Sequence, residues 1–366
     1  MLKILLFFFA LILFSAHANA DEPYNVGFRT IGYVSNNIQK KIDINVWYPS
    51  IAKPREVTYS PWILNVARGS KIVNGKFPLI ILSHDSPATR FSYHDTANYL
   101  ASYGFIVAAL THPNDNFNKM DQAFTWRQLA ERANDISLTI DILLNNRDFN
   151  QNIDKNRIGI VGYGAGATTA LLLGGALPNC NTWPGYCSRH PNNDIVCNNW
   201  AQSRINNMCQ EFPLKKSLAD QRIKSIVAIS PAFPMIFDKN SLQYFYPSLL
   251  MILVQKNSLN HEVFQEKNIK SILPKTTHIL IDDADDASLM APCPKEIMYE
   301  IPEICRSVSP STRRSIHLQI YNELENFFLN YLGDEKNIPI IKDAPILTEE
   351  PPKKIYGPHL PKKYKK

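Results

Sequence analysis

The chain has 366 residues, 45% of them apolar, and a formal net charge of +6. That is ample material for one large domain with an insertion, or for two domains. The charge sits at the ends: Lys3 lies in the first segment and six lysines without an acid fill 351–366, so residues 21–350 carry −1 and no nucleic-acid-binding face is expected.

Lys3 precedes an unbroken apolar run from Ile4 to Phe14, followed by small residues ending Ala18-Asn19-Ala20. The run is too short to span a bilayer, and its A-x-A ending predicts a secretory signal peptide over 1–20. An uncleaved anchor is the alternative, but no stop-transfer pattern follows. No later stretch approaches the ~18 consecutive apolar residues of a membrane helix, so the mature chain is expected to be soluble, and secreted or periplasmic. Cys180, Cys187, Cys197, Cys209, Cys293 and Cys305 form an even set, which suits disulfides in an exported chain. No C-x-x-C occurs, so spacing gives no support for a zinc or thioredoxin-type site; no cofactor or metal is expected. Six cysteines allow about 15 pairings.

From Phe28 to Val34 and from Ile42 to Trp47 the pattern predicts two opening strands, antiparallel to each other. Phe77 to Ser83 is a continuous apolar run of the kind a buried parallel strand needs. A helix follows from Ser92 to Tyr103, ending at Gly104 in the position of a glycine cap. Then come a strand from Phe105 to Leu110, a helix from Phe124 to Leu144, a strand from Arg157 to Val161 and a helix from Ala165 to Leu173. Lys224 to Ile229, Leu249 to Val254 and His278 to Ile281 supply three more strands. A last helix from Ser311 to Leu332 is expected to bury Ile316, Ile320, Leu324, Phe327 and Tyr331. This alternation predicts an α/β fold, a mostly parallel sheet with helices on both faces, over 21–333. Residues 174–220 break the rhythm and hold four of the six cysteines. They read as a disulfide-stapled insertion over the carboxyl edge of the sheet, where ligand sites of such sheets lie. The segment from 334 to 366, Pro-rich and then Lys-rich, is expected to be disordered.

The turn after the strand ending at Val161 is the most informative. Arg157-Ile-Gly-Ile-Val-Gly-Tyr-Gly-Ala-Gly166 has the strand, the tight glycine-flanked bend and the helix start of a nucleophile elbow. The bend holds its tip residue, strained, above the sheet, and here that tip is Gly164.

Together with Val46-Trp-Tyr-Pro49, Phe77 to His84, Arg90-Phe-Ser-Tyr93, Leu100 to Ala109, His112-Pro113, Ile153 to Gly162, Tyr186 to Pro191 and Leu289-Met-Ala-Pro-Cys293, this turn carries a resemblance. The chain resembles the secreted bacterial platelet-activating-factor acetylhydrolase and dienelactone-hydrolase-like branch of the α/β-hydrolases, over Phe28 to Leu332. The resemblance implies the α/β-hydrolase fold and a triad in the order serine, acid, histidine. The family's G-H-S-x-G matches Gly162-Tyr163-Gly164-Ala165-Gly166, so the serine is missing. The phrase that should carry the histidine reads Ala284 to Cys293, with Asp286 in the imidazole's place. The acid should follow Val254, yet Gln255 to His261 holds no carboxylate, and Leu259 stands at that position. The oxyanion loop's usual H-G is His84-Asp85. His84, Asp85, Tyr163, Ala165 and His112 are thus the expected oxyanion-loop and pocket residues, with no intact triad. The resemblance also implies that Cys187 pairs with Cys197, as in the family's short cysteine loop; Cys293 with Cys305 is the next natural pair, leaving Cys180 with Cys209.

Glycine has no side chain, so no acyl-enzyme can form at residue 164. A carboxylate from Asp85 at ~4 Å from a developing oxyanion would cost on the order of 4 kcal/mol at an effective dielectric of about 20. Enzymes stripped of a triad keep roughly 10³–10⁴-fold acceleration from the oxyanion hole and binding; Asp85 threatens even that. The expected function is therefore a catalytically silent member that binds a small acyl or lipid-like ligand or acts as a scaffold. The alternative is an ester or lipid hydrolase with a rebuilt centre, drawing on Ser86, Ser288, His84, His112 or His261. The simpler readings are loop-bracing histidines and turn-forming serines. Asp282-Asp-Ala-Asp-Asp286 would suit a hard cation but lacks calcium-loop spacing, so a solvated loop is the simpler reading. The lysines of 351–366 suit a solubilising end, or attachment to an anionic envelope surface or partner.

Overall fold

The computed structural model describes residues 23–35, 40–190, 194–211, 217–256 and 264–333. The expected signal peptide over 1–20, Leu259, His261 and the tail from 334 lie outside them. The described residues belong to one compact unit, Pro23–Asn337.

In chain order the strands are β1 (Asn25–Ser35), β2 (Lys40–Ser50), β3 (Arg55–Tyr59), β4 (Trp62–Arg68), β5 (Phe77–Ser83), β6 (Ile106–Thr111), β7 (Ile153–Tyr163), β8 (Ile223–Ile229), β9 (Ser248–Val254) and β10 (Thr277–Ile281). They form one ten-stranded sheet in the order β10-β9-β8-β7-β5-β6-β2-β1-β4-β3. Strands β5 to β10 run parallel, β2 joins β6 antiparallel, and β1 pairs antiparallel with β2, as the opening pattern predicts. The β3–β4 hairpin is an addition that the sequence did not announce: its exposed alternate positions, Ile63 and Asn65, leave too weak a pattern.

The helices are α1 (His94–Ser102), α2 (Trp126–Asn145), α3 (Ala165–Leu173), α4 (Tyr186–Arg189), α5 (Asp194–Cys197), α6 (Asn199–Glu211), α7 (Glu266–Ile272), α8 (Lys295–Glu300), α9 (Pro302–Cys305) and α10 (Pro310–Leu332). Central strands are buried on both faces, so every residue of β5 is buried. Alternate side chains feed two cores. Leu79 and Ile81 pack with Ile136 and Ile140 of α2 and with Leu171 of α3. Ile80 and Leu82 face Leu100 of α1 and Leu324 and Phe328 of α10. Full burial of one such side chain contributes about 1.5–3 kcal/mol. A charge at Ile160, buried mid-sheet, would forfeit that and add an unpaired buried ion.

Capping defines the helices that frame the site. The Thr125 side chain accepts from Gln128 N at the start of α2, and Ser309 accepts from Thr312 N at the start of α10 with Pro310 at its first turn. Gly104, at φ +90°, follows α1 as expected. One core expectation is corrected. Tyr331 is 42% exposed, and Phe328 and Leu332 fill the place expected of it, because the apolar stripe runs Leu324, Phe328, Leu332 at four-residue steps.

Three disulfides close, Cys180–Cys209, Cys187–Cys197 and Cys293–Cys305. These are the three expected pairs. Among the described residues no helix is long and apolar enough to cross a membrane.

Candidate functional site

Between β7 and α3 the chain turns through a single residue, Gly164, at φ +52° and ψ −114°. The crossing is close: a Cβ on Gly166 would stand 2.1 Å from the Ser83 carbonyl oxygen, and one on Gly162 2.3 Å from the Gly166 carbonyl oxygen. The glycines flanking the bend are therefore steric requirements. Gly164 N–H donates to Ile229 O (3.0 Å), while its carbonyl accepts from Thr168 N–H (3.1 Å) and Ala232 N–H (3.0 Å). The elbow is held rigidly although its tip carries only hydrogen.

Asp85 occupies the space a side chain at residue 164 would need. Its Oδ1 accepts from Ala165 N–H (2.7 Å) and from Ser86 N–H (2.7 Å). Those are the donors of the residue after the elbow tip and of the loop after β5, the pair that would cradle an oxyanion. An ideal Cβ on Gly164 would lie 2.0 Å from Asp85 Oδ1 and 2.1 Å from its Cγ. The Asp85 carboxylate thus takes the two N–H donors that the resemblance would assign to an oxyanion. Burial pushes the Asp85 carboxyl up, against the lowering effect of these two bonds.

Asp286 faces the same cavity. Burial, and then the charge of Asp85, push it up to about 7. The cavity, about 380 Å³, is lined by Asp85, Gly164, Ala165, Ser230 and Asp286, with walls that include Phe124 and Phe233. Ile195 and Val196 of α5 close one side, so the cysteine-bearing stretch does reach the carboxyl edge of the sheet. The acidic run splits. Asp282 and Asp283 are exposed, Asp285 accepts from Ser288 N–H (2.7 Å) and the Ser307 hydroxyl (3.0 Å), and only Asp286 enters the cavity. No cluster of three or more metal-ligating side chains occurs among the described residues.

His84, His112 and Tyr163 do not line the cavity; they pack behind it. His84 Nε2 accepts from His112 N–H (3.1 Å), which leaves Nδ1–H to donate to Asp85 O (2.6 Å). Burial and the Arg132 guanidinium push both imidazoles well down, so both are neutral. Arg132 donates to Asp115 Oδ2 (2.7 Å) and to His84 O (2.8 Å). Burial would raise Asp115, but Arg132 and the Ser86 and Gln128 donors hold it below the usual carboxylate range. Tyr163 stacks on Tyr93 at 3.8 Å and its hydroxyl pairs with Thr96 Oγ1 at 2.9 Å.

A serine, a histidine and an aspartate do stand in line, though not where expected. Ser83 Oγ lies 3.0 Å from His112 Nε2, and His112 Nδ1 lies 3.0 Å from Asp135 Oδ2. With its proton directed at Asp135, His112 accepts from the Ser83 hydroxyl. All three are sealed, at 0%, 1% and 2% exposure. Burial pushes Asp135 up to about 6 even though Lys40 pairs with it. Asp115, Arg132 and Asp135 escaped the sequence reading. A signal existed: Gln128, Arg132, Asp135 and Thr139 form a polar stripe at helical spacing beside the apolar stripe of α2. Ser288 makes the turn hydrogen bonds of the simpler reading, whereas Ser86 does not: its hydroxyl reaches across to another loop. The Ser86 hydroxyl donates to Asp115, and that of Ser288 to Asp285 O (2.6 Å).

Residues 56–140 match the family described as platelet-activating factor acetylhydrolase, isoform II. A solved ferulic acid esterase from Streptomyces cinnamoneus superposes with a TM-score of 0.51 at 13% identity, over 87% of this chain and 92% of that one. The chain has an α/β-hydrolase fold. A dienelactone hydrolase from Anabaena variabilis is also similar, at 13% identity and a TM-score of 0.44, over 85% of this chain and 100% of that one. No curated protein sequence matches. The segment similar to the acetylhydrolases covers the loop after β5, α1 and most of α2 and stops short of the elbow of this α/β-hydrolase fold.

Proposed function

We propose that this α/β-hydrolase-fold protein is catalytically silent and uses the cavity beside Gly164 to bind a small ligand with acyl- or lipid-like apolar character. One observation carries the reading: Asp85 fills both the nucleophile's space and the oxyanion's hydrogen bonds, so the residual catalysis that a triad-less hydrolase retains is unsupported as well. The walls at Phe124, Val196 and Phe233 favour an apolar ligand portion. The disulfides and the signal-like start favour an exported protein in a secreted or periplasmic setting, and the lysine-rich tail favours contact with an anionic envelope surface. Incubation of purified protein with short-chain p-nitrophenyl esters and a fluorophosphonate probe tests silence. No turnover and no labelling are expected; turnover lost on changing a single residue would overturn it.

A second reading, an ester or lipid hydrolase with a rebuilt centre, is favoured by the Ser83–His112–Asp135 alignment. Its burial away from the cavity opposes it. Fluorophosphonate labelling of Ser83, abolished by Ser83→Ala, would establish this reading instead.

A further inference from the structure

The cavity at the elbow is one-sided in its chemistry. Asp85 commits Oδ1 to two backbone N–H groups and leaves Oδ2. Among the described residues no N–H group donates to the Asp286 carboxyl. Ser230, 3% exposed and held at φ +46° in the left-handed region, lines the cavity with an Oγ that completes no hydrogen bond of full geometry, although it lies near enough to Asp286 to favour its charged form. The other polar linings are occupied: Ser86 donates to Asp115, and Gln128 spans Asp115 and Phe124 N–H. No lining residue is basic, and the nearby Arg132 is engaged by Asp115 and His84 O. Beyond this acceptor cluster the walls are apolar, and Met120 and Ile195, at 39% and 53% exposure, stand at the mouth.

We propose that the cavity binds a primary alkyl- or aralkyl-ammonium ligand, its –NH₃⁺ seated among Asp85 Oδ2, Asp286 and Ser230 Oγ and its apolar part leading out past Phe124 and Phe233. This rests on the ligand-binding reading above and gives that ligand a charge. An ammonium brings three N–H donors and no acceptor, matching three acceptor groups. It also relieves the repulsion between two carboxyls in a poorly hydrated space, which a neutral ligand cannot do. A fatty-acid carboxylate would add a third negative charge and be excluded. The titratable groups around Asp286 are Asp85, Asp285 and Tyr93, and the one cation that acts on Asp85, Arg132, is held behind the cavity by Asp115 and His84 O.

Titration calorimetry on the oxidised full chain at pH 8, with octylammonium chloride, octanol and sodium octanoate, tests this. Octylammonium is expected to bind at least ten-fold more tightly than octanol, with no detectable octanoate binding. Asp286→Asn and Ser230→Ala, checked for native circular dichroism, should each weaken octylammonium at least three-fold and leave octanol unchanged. Octanol binding as tightly as octylammonium, or indifference of octylammonium to both variants, would overturn the ammonium assignment while leaving a ligand pocket in place. Binding of none of the three would overturn it too. Ester turnover, measured separately, would overturn catalytic silence whatever the amine does.

Discussion

Replacing Gly164 with serine tests the central geometry. The new Cβ would lie 2.0 Å from Asp85 Oδ1 and 2.4 Å from Oδ2, so the carboxyl must leave its seat. Leaving forfeits the bonds from Ala165 N–H and Ser86 N–H, each worth about 1.5–3 kcal/mol to an ionised acceptor. A side chain at φ +52° adds on the order of 1–3 kcal/mol of backbone strain. Rehydration of the displaced carboxyl returns part of this, so Gly164→Ser is expected to destabilise by about 4 kcal/mol. In Asp85→Gly the obstacle is gone, and adding Gly164→Ser to it should cost only the strain. Urea unfolding followed by tryptophan fluorescence on all four proteins of the cycle gives the coupling, expected near 2 kcal/mol in favour of the double variant. Additivity within about 0.5 kcal/mol would mean that the two groups do not compete for one volume, and the argument from Asp85 would fall. Turnover is expected in none of the four, because Asp286 and no histidine lines the cavity among the described residues.

Asp286 predicts a pH dependence of stability. With its carboxyl raised to about 7 from 3.8, the folded chain holds a proton that the unfolded chain has released, so stability falls as pH climbs from about 4 to 7. Asp286→Asn should flatten that slope in calorimetric scans at pH 5 and pH 8, by at most on the order of 4 kcal/mol. His317 is a strut: its ring donates to Asp95 Oδ2 (2.7 Å) and Ser288 O (2.8 Å), tying α10 to α1 and to the loop that carries Asp286. Burial would lower His317, but Asp95 raises it, while His317 overrides burial to hold Asp95 at about 2. The ion pair therefore stabilises fully between about pH 4 and 6.5, and fades as pH falls towards 2 or rises from 6.5 through the raised histidine value. His317→Leu should cost about 3 kcal/mol in urea unfolding at pH 6, and a neutral result would remove the strut. Replacing Cys293 and Cys305 together by serine opens a short loop next to that region and should lower stability by about 2–4 kcal/mol, read as a fall in melting temperature.

The parallel core was legible because buried strands are written as unbroken apolar runs. Phe77 to Ser83 and Leu249 to Val254 could not be mistaken for amphipathic elements, and their ends were found within a residue or two. Gly164 was legible because the elbow's flanking glycines are fixed by close approach to Gly166 and Ser83, whatever the tip does. The Asp85 carboxyl was foreseen near the oxyanion position, but not its seat on Ala165 N–H. That depends on a loop path that residue types do not encode. The Ser83–His112–Asp135 line was missed for a related reason. Its members come from β5, the loop after β6 and α2, and only the tertiary register of β5 beside β6 aligns them. Ser230 left no trace in the sequence, since a single serine after a strand is ordinary until its left-handed backbone is seen.

Gly164 and Asp85 constrain each other in a way that bears on any attempt to place a nucleophile at the elbow. A carboxyl in the oxyanion seat requires a residue without Cβ at the elbow tip, and a Cβ at the tip requires an empty seat. A serine introduced at 164 without removing Asp85 therefore meets steric exclusion before chemistry can be asked of it. If both are changed, the serine faces a carboxyl at 286 rather than an imidazole, and loss of the Asp85 charge removes one of the two causes that raise that carboxyl. Two separated segments, the loop after β5 and the elbow, must therefore change together before a serine can stand at the tip, and a third, the loop after β10, supplies the carboxyl that would face it. The same three segments already agree on something else: they surround one cavity with acceptor groups and hold it rigid from behind through Arg132, His84 and His317. Rigid acceptors without a nucleophile are what the proposed ammonium site requires.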